Sequence, residues 1–239
     1  MKKIFAILLI FQCVLISAQG QTYENSPKEA KAVNRIGVQA GFNMAKNIYV
    51  ADGATSFNDE MKFLPAFNVG FYTEKGKHDY FTTQFGLFYQ RKGTSSTNSE
   101  YHAILDYIQV PLMLNVRMPI AGPVFMKLGL GTYAAYAFNG KIKDGDETIM
   151  DLFSFPKDKP EENKMLKPYD FGISFSGQIE YILPDKRTIE FSVKYDLGVT
   201  KISNNYSLIP ELEPFDMGIK NNVLSFNLVY SFDLNKPLE

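Results

Sequence analysis

The chain has 239 residues, and its 25 Lys and Arg residues nearly balance its 26 Asp and Glu residues, so that the formal net charge is −1. This balance argues against a nucleic-acid-binding protein, which shows a basic excess or a basic stripe. The 20 Phe and 14 Tyr residues exclude a disordered chain, and the single Cys excludes both an internal disulfide and a Cys-rich zinc site.

The N-terminus has the parts of a secretory signal peptide. Met1–Lys3 is short and basic, Ile4–Ile16 is apolar, and small residues follow. The apolar run is shorter than the roughly 20 residues that a membrane-spanning helix needs. We therefore predict that residues 1–18 are a signal peptide that carries the chain through the inner membrane and is cleaved after Ala18 or after Gly20.

Apolar and polar residues alternate with a period of two from Arg35 to Asp233, which predicts eight strands. Each strand has about the 9–11 residues with which a tilted strand crosses a membrane. A polar segment, 19–34, precedes the predicted barrel of residues 35–234, and a tail, 235–239, follows it. The predicted strands are Arg35–Ala45, Leu64–Glu74, Tyr80–Arg91, Ile104–Met118, Pro123–Phe138, Asp170–Leu183, Thr188–Val199 and Asn222–Asp233.

Long and short connections alternate between these strands. The long ones are Lys46–Phe63, Lys92–Ala103, Asn139–Tyr169 and Thr200–Asn221, and the short ones are Lys75–Asp79, Pro119–Gly122 and Pro184–Arg187. Outer-membrane barrels have long extracellular loops and short periplasmic turns. The alternation therefore indicates a barrel whose two chain ends lie on the periplasmic side.

One face of the predicted strands is apolar and free of charge, and it includes Phe85, Leu112 and Phe226. A soluble barrel of the lipocalin kind shows the same alternation, but its apolar face points inward. The positions of the glycines distinguish a membrane barrel from a soluble one. Glycine in a strand marks a crowded backbone, which is expected inside a narrow barrel. Gly177 lies on the apolar face, whereas the polar face carries Gly37, Gly41, Gly70, Gly86, Gly129, Gly131, Gly172 and Gly198.

We therefore predict an all-β, eight-stranded antiparallel up-and-down transmembrane β-barrel with a polar lumen and with outer-membrane lipid against its apolar face. Aromatic residues at both ends of that face match the girdles of membrane barrels. At the long-loop end they are Phe42, Tyr89, Tyr136, Phe138 and Phe171, and at the short-turn end they are Phe71, Phe81, Tyr181, Tyr230 and Phe232.

Charged residues on the polar face predict a plugged barrel. An eight-stranded barrel has an interior just wide enough for its side chains to fill, and buried charges are tolerated there only in pairs. We expect ion pairs across the lumen rather than a diffusion pore. The predicted lumen charge network is Arg117, Lys127, Glu180, Glu190, Lys194 and Asp196.

Seven segments together resemble the PorT-like outer-membrane β-barrel family of the Bacteroidetes type. They are Arg35–Asn43, Phe88–Gly93, Tyr107–Leu114, Leu128–Tyr133, Tyr169–Ile173, Lys194–Val199 and Asn221–Phe226. The resemblance implies an outer-membrane barrel without defining catalytic residues, and its name-giving member belongs to a type IX secretion machinery. It makes envelope or secretion-system proteins candidate partners. The family motif also has a proline at the position of Pro111, where we expect a β-bulge because proline cannot donate to the ladder.

Few residues suggest catalysis or metal binding. His78 falls in a predicted turn, and His102 lies near several Ser residues and Asp106 in a polar loop, although a Ser–His–acid set is recognised by geometry rather than by nearness in sequence. The acidic turn Asp144–Glu147 has its glycine at the wrong offset for an EF-hand. We therefore expect no catalytic residues, no cofactor and no metal.

Three functions stay open at this point. The first, which we favour, is a non-enzymatic structural or accessory component that works through its extracellular loops or its periplasmic rim, with type IX-like protein secretion as one version. The second is an outer-membrane enzyme acting on lipid or peptide. The third is a soluble lipocalin-like ligand-binding barrel.

Overall fold

A computed structural model describes residues 32–50, 55–78, 80–97, 100–152, 166–185, 187–203 and 218–235. The predicted signal peptide and most of the polar segment 19–34 lie outside the described residues. Strand β1 begins at Val33, so the last two residues of that predicted segment already belong to the sheet.

The described residues form ten strands and one short helix. The helix, α1, spans Thr55–Glu60. The strands are β1 (Val33–Val50), β2 (Met61–Lys62), β3 (Leu64–His78), β4 (Phe81–Ser96), β5 (Tyr101–Ala121), β6 (Val124–Asp144), β7 (Glu147–Asp151), β8 (Tyr169–Ile182), β9 (Thr188–Gly198) and β10 (Gly218–Asp233).

No helix in the described ranges is both long and apolar enough to cross a membrane.

Eight of the described strands close into a ring in the order β1, β3, β4, β5, β6, β8, β9, β10, with every neighbour antiparallel. The last strand returns to the first in one continuous register, from Arg35 opposite Asp233 to Val50 opposite Gly218. The two shortest strands are additions outside the ring: β2 pairs with β4, and β7 pairs with β6. The predicted eight-stranded up-and-down barrel is confirmed.

Several strands continue further at the long-loop end than the alternation predicted. Strand β1 runs on to Val50, β4 to Ser96 and β6 to Asp144, and β5 begins at Tyr101. Parts of the predicted long loops are therefore paired strand. These extensions lie beyond the extracellular aromatic residues, where no lipid requires an apolar side chain at every second position, so the alternation that marked the rest of each strand is weaker there.

The faces of the barrel have the polarity predicted for a membrane protein. Phe85 and Leu112 are each 51% exposed, and Phe226 is 36% exposed on the outer surface. Lys127 and Glu180, by contrast, are fully buried in the lumen. The interpretation as a soluble lipocalin-like barrel is wrong, because such a barrel would bury the apolar face and expose the charged one.

Glycine occurs on the lumen face because the lumen is crowded. A Cβ on Gly70 would lie 2.4 Å from the ring of Phe88, and one on Gly37 would lie 2.7 Å from the ring of Tyr72. Both rings belong to the strand next to the glycine, so each of these two rings occupies the space that a side chain on its cross-strand partner would fill. On the apolar face, a Cβ on Gly177 would have no atom within 4 Å, which agrees with an outward direction.

Pro111 does not lie in a β-bulge, so that expectation is wrong. The cross-strand pairs on either side of Pro111, Phe85–Leu112 and Phe88–Gln109, have the same register. The two pairs that would lie between them are not formed. The ladder thus lacks the hydrogen bond that proline cannot donate. It accommodates this loss without an inserted residue. The shifts in register between β5 and β6 occur instead between Asp106 and Tyr107 and near the turn that follows β5.

The short turns have the chemistry expected of tight connections. Gly122, between β5 and β6, has a φ of 51°, a left-handed conformation that favours glycine. Between β8 and β9 the backbone N–H of Arg187 donates to the Asp185 carboxylate at 3.2 Å. The hydrogen bond from the Arg187 guanidinium holds the pKa of this exposed Asp185 carboxyl below its usual value.

Candidate functional site in the lumen and at the outer rim

Six charged side chains fill the periplasmic half of the lumen and form what we call the lower network. At its centre the Lys127 ammonium lies 2.7 Å from Glu190, 3.2 Å from Glu74 and 3.7 Å from Glu180. The members are Arg35, Glu74, Arg117, Lys127, Glu180 and Glu190, contributed by β1, β3, β5, β6, β8 and β9. Since the cations equal the anions in number, the network is neutral as a whole.

Further hydrogen bonds satisfy the carboxylates of the lower network. Glu180 accepts from Arg35 Nη1 at 2.9 Å and from Arg117 Nε at 3.1 Å. The hydroxyl of Thr82 donates to Glu74 at 2.5 Å, and that of Tyr72 donates to Glu190 at 3.2 Å. Buried charges are stable only when they are paired and hydrogen-bonded in this way.

A second set of charges, the upper network, lies nearer the extracellular end and consists of Lys92, Asp170, Lys194 and Asp196. Lys92 Nζ contacts Asp170 at 2.8 Å, and Lys194 Nζ contacts Asp196 at 3.1 Å. The Lys92 ammonium also lies 4.2 Å from the centre of the Tyr133 ring. Such a cation–π contact stabilises a desolvated ammonium.

Both carboxylates of the upper network accept several hydrogen bonds, and Asp196 is the first of them. It accepts from Ser174 Oγ at 2.6 Å and from Gln109 Nε2 at 2.9 Å, besides its ion pair with Lys194. Asn221 and Tyr133 both donate to Asp170. Side chains from across the barrel therefore converge on two carboxylates, which cross-links its walls through the lumen.

All six residues of the predicted charge network face the lumen, but they do not form one network. Arg117, Lys127, Glu180 and Glu190 belong to the lower network, whereas Lys194 and Asp196 pair with each other in the upper one.

The predicted charge network omitted four charged residues of the lumen: Arg35, Glu74, Lys92 and Asp170. Of these, Asp170 lies on the polar face that the alternation assigned to the lumen. Lys92 falls one residue beyond the predicted end of its strand, and Arg35 and Glu74 lie at strand ends, where a charge is usually solvated. Extending the period-two alternation by one residue would have placed Lys92 in the lumen.

A small cavity of about 20 Å³ lies between the two networks. That volume holds about one water molecule. Polar and apolar side chains line it, among them Gln39, Gln84, Phe88, Met113, Ser176 and Gln178.

An apolar cluster, which we call the apolar plug, lies toward the extracellular end of the lumen. The backbone N–H of Leu152 donates to Gly140 at 2.8 Å, and that of Ile202 donates to Ile219 at 2.8 Å, which ties the described ends of two long loops to the barrel wall. The buried members are Leu105, Tyr107, Tyr133, Ala135, Ala137, Leu152, Leu166 and Ile202. Ions crossing the barrel would have to pass both charge networks and this plug.

The candidate chemical residues outside the lumen do not assemble into a triad. Ser95 Oγ lies 2.8 Å from His102 Nδ1, because the two residues are direct cross-strand partners. Asp106 is bonded elsewhere, to Tyr89, Arg91 and a neighbouring amide. His78 ends β3, and Ser99 lies outside the described residues.

The acidic turn at residues 144–147 joins β6 to β7, and Gly145 there has a φ of 56°. Within the part of the chain that the structure describes, no group of three or more His, Cys, Asp or Glu side chains is arranged to hold a metal ion.

A closed ring of eight antiparallel strands with lipid-facing apolar side chains is the architecture of an outer-membrane barrel. A family model described as an outer membrane protein beta-barrel domain matches residues 18–204. The chain belongs to this family. It is thus an outer-membrane β-barrel protein.

Barrels of known structure align with most of this chain at low sequence identity. Neisserial surface protein A is 13% identical with a TM-score of 0.45, and the match covers 82% of this chain and 97% of that one. OprG from Pseudomonas aeruginosa is 14% identical with a TM-score of 0.44, over 86% and 98%. Ail, the attachment invasion locus protein of Yersinia pestis, is 10% identical with a TM-score of 0.39, over 84% and 99%. No curated protein matches the sequence significantly.

The lower network predicts a large cost for removing its central cation. Replacing Lys127 by Met removes the cation that contacts Glu74, Glu180 and Glu190 in the buried lumen. Breaking a buried ion pair costs about 3–5 kcal/mol. The free energy of unfolding, measured by denaturant titration in lipid vesicles, should fall by about that amount.

The matched control is Lys75→Met, which removes an exposed lysine at the periplasmic end of β3 and should change stability by less than about 0.5 kcal/mol. Equal stabilities of the two variants would show that Lys127 is not held by a buried network.

Proposed function

We propose that this protein is a non-enzymatic outer-membrane barrel with a sealed lumen, and that it acts as a structural or accessory component through its extracellular loops or its periplasmic rim. The observation that supports this proposal is the filling of the lumen. Two hydrogen-bonded charge networks and the apolar plug occupy it, with a described cavity of about 20 Å³ between the networks.

The size of the barrel supports the same conclusion. Barrels of 16–18 strands leave an aqueous channel, whereas an eight-stranded barrel has room only for its own side chains. Substrate transport through the lumen would require both charge networks to separate. The surfaces that are free to interact are therefore the lipid-facing wall and the two rims.

Conductance measurements test the sealed lumen. The purified full chain in planar lipid bilayers should show no steady porin-sized conductance, because the two charge networks and the apolar plug fill the path through the barrel. A general porin inserted under the same conditions is the positive control, and flotation of protein-containing vesicles checks that the barrel has inserted. A steady conductance from the inserted chain would contradict the proposal.

We further propose that the accessory role is in protein secretion of the type IX kind, and that a signal peptide, cleaved after Ala18 or Gly20, carries the chain through the inner membrane on its way to the outer membrane. The resemblance of seven segments to PorT-like barrels supports this version. Crosslinking in intact envelopes, followed by detergent solubilisation and capture of the tagged chain, should recover secretion components. Recovery of the chain without any of them, beside a known component captured in parallel, would contradict this role.

Among the described residues, the hydrogen bond between Ser95 and His102 favours an enzyme. A serine nucleophile also needs an acid that orients the histidine and an oxyanion hole. Asp106 is engaged by Arg91 instead, so this carboxylate does not orient His102.

We therefore propose that the Ser95–His102 contact is structural. Purified protein should show only background hydrolysis of ester substrates, and His102→Ala should leave that background unchanged. His78→Ala is the control. A measurable activity that disappears in His102→Ala but not in His78→Ala would establish the enzyme.

A further inference from the structure

A polar cluster lies on the outer face of the barrel, directly above the extracellular aromatic residues. Arg91, Asp106 and Asn139 stand side by side on β4, β5 and β6. The Arg91 guanidinium lies 5.4 Å from the ring centre of Phe67, which is exposed on the lipid-facing surface. The cluster therefore faces the membrane border rather than the lumen.

A β-bulge builds this cluster. The register between β5 and β6 shifts at Asp106 and Tyr107, so that Phe138 and Asn139 both fall on the outer face. Asn139 Nδ2 can then donate to Asp106 at 2.7 Å. Bulges are often found where a side chain must be re-aimed for a specific purpose.

The carboxylate of this cluster is buried, whereas its guanidinium is partly exposed. Asp106 accepts from Tyr89 at 2.6 Å, from Arg91 Nε at 2.8 Å and from Asn139, and its side chain is only 6% exposed. The Arg91 side chain is 34% exposed. Asp106 thus holds the guanidinium in place, while the donors of Arg91 that it does not use remain available to a ligand.

Two lysines continue the same face above Arg91. Lys141 and Lys143 follow Asn139 at alternate positions on β6, about 7 Å apart along the strand. Both are partly exposed. Lys141 lies beside Ile104 and Asp151, and Lys143 lies beside His102. The outward face of this wall therefore offers three cations above an aromatic border.

The position and the positive charge of this wall indicate which kind of ligand it binds. The outer leaflet of a bacterial outer membrane consists largely of glycolipid whose sugars carry phosphate groups, and its headgroups lie at the level of the extracellular aromatic residues. Arginine binds phosphate through parallel hydrogen bonds, and lysine binds it as a point charge. We propose that Arg91, with Lys141 and Lys143, binds the phosphorylated sugar headgroup of an outer-leaflet glycolipid.

Lipid binding by the full chain in detergent micelles tests this site. The probes are bisphosphorylated lipid A and the same lipid after removal of its phosphates, with binding measured by native mass spectrometry. The wild-type chain should bind the phosphorylated form more tightly. Arg91→Gln should weaken that binding by about tenfold or more, since hydrogen bonds to charged groups are the strong ones.

Arg187→Gln is a matched control. Arg187 also pairs with an aspartate, Asp185, and lies 6.0 Å from the ring centre of Tyr230, but it is at the periplasmic rim. Its replacement should leave binding unchanged. Equal weakening by the two substitutions would overturn the proposal, as would equal affinity for lipid A with and without phosphate.

Folding of Arg91→Gln is checked by the mobility shift of the unheated barrel on a gel. If this variant does not fold, a second variant tests the proposal. Lys141→Gln removes a cation that no described ion pair uses to hold the strands together. It should weaken binding of phosphorylated lipid A severalfold, whereas a folded Lys141→Gln chain with unchanged affinity would overturn the proposal. The sealed lumen is measured separately, by conductance.

Discussion

The closure of eight strands around a narrow lumen is the constraint on which the rest of this structure depends. Closure removes every sheet edge from the hydrocarbon, where an unpaired backbone group would be costly. It also leaves an interior that only side chains can fill. Each charge placed there must find a counter-charge and hydrogen bonds from other strands, and a ring such as that of Phe88 fits beside a glycine. The ion pairs of Lys127 and the contact of Phe88 with Gly70 both follow from that geometry.

The same constraint supports our proposal that the protein acts through surfaces outside its lumen. A barrel whose interior is occupied by Lys92, Lys127 and their carboxylates has little freedom to bind or pass a ligand there. Its outer wall and its two rims are chemically more varied. At the extracellular border a single bulge in β6 turns Asn139 outward, where it helps Asp106 to hold Arg91.

Sequence alternation predicted the barrel well within the membrane and less well outside it. Lipid imposes an apolar residue at every second position, so Phe85, Leu112 and Phe226 could be assigned to the outer face from sequence. Above the membrane that requirement ends, and residues such as Lys92 and His102, expected in a loop, lie in strands. The expectation for Pro111 failed for a related reason: proline reveals a missing donor but not whether the register shifts.

The sequence alone determined the strand count, the direction of the two faces and the polarity of the lumen, because these depend on a local period of two and on where glycine is tolerated. It could not determine which charges meet. Glu74 and Lys127 are far apart in the chain and lie on non-adjacent strands, so their contact depends on ring closure and on the relative stagger of the strands. Only the tertiary structure decided the two separate networks, the plug at the mouth and the cluster around Asp106.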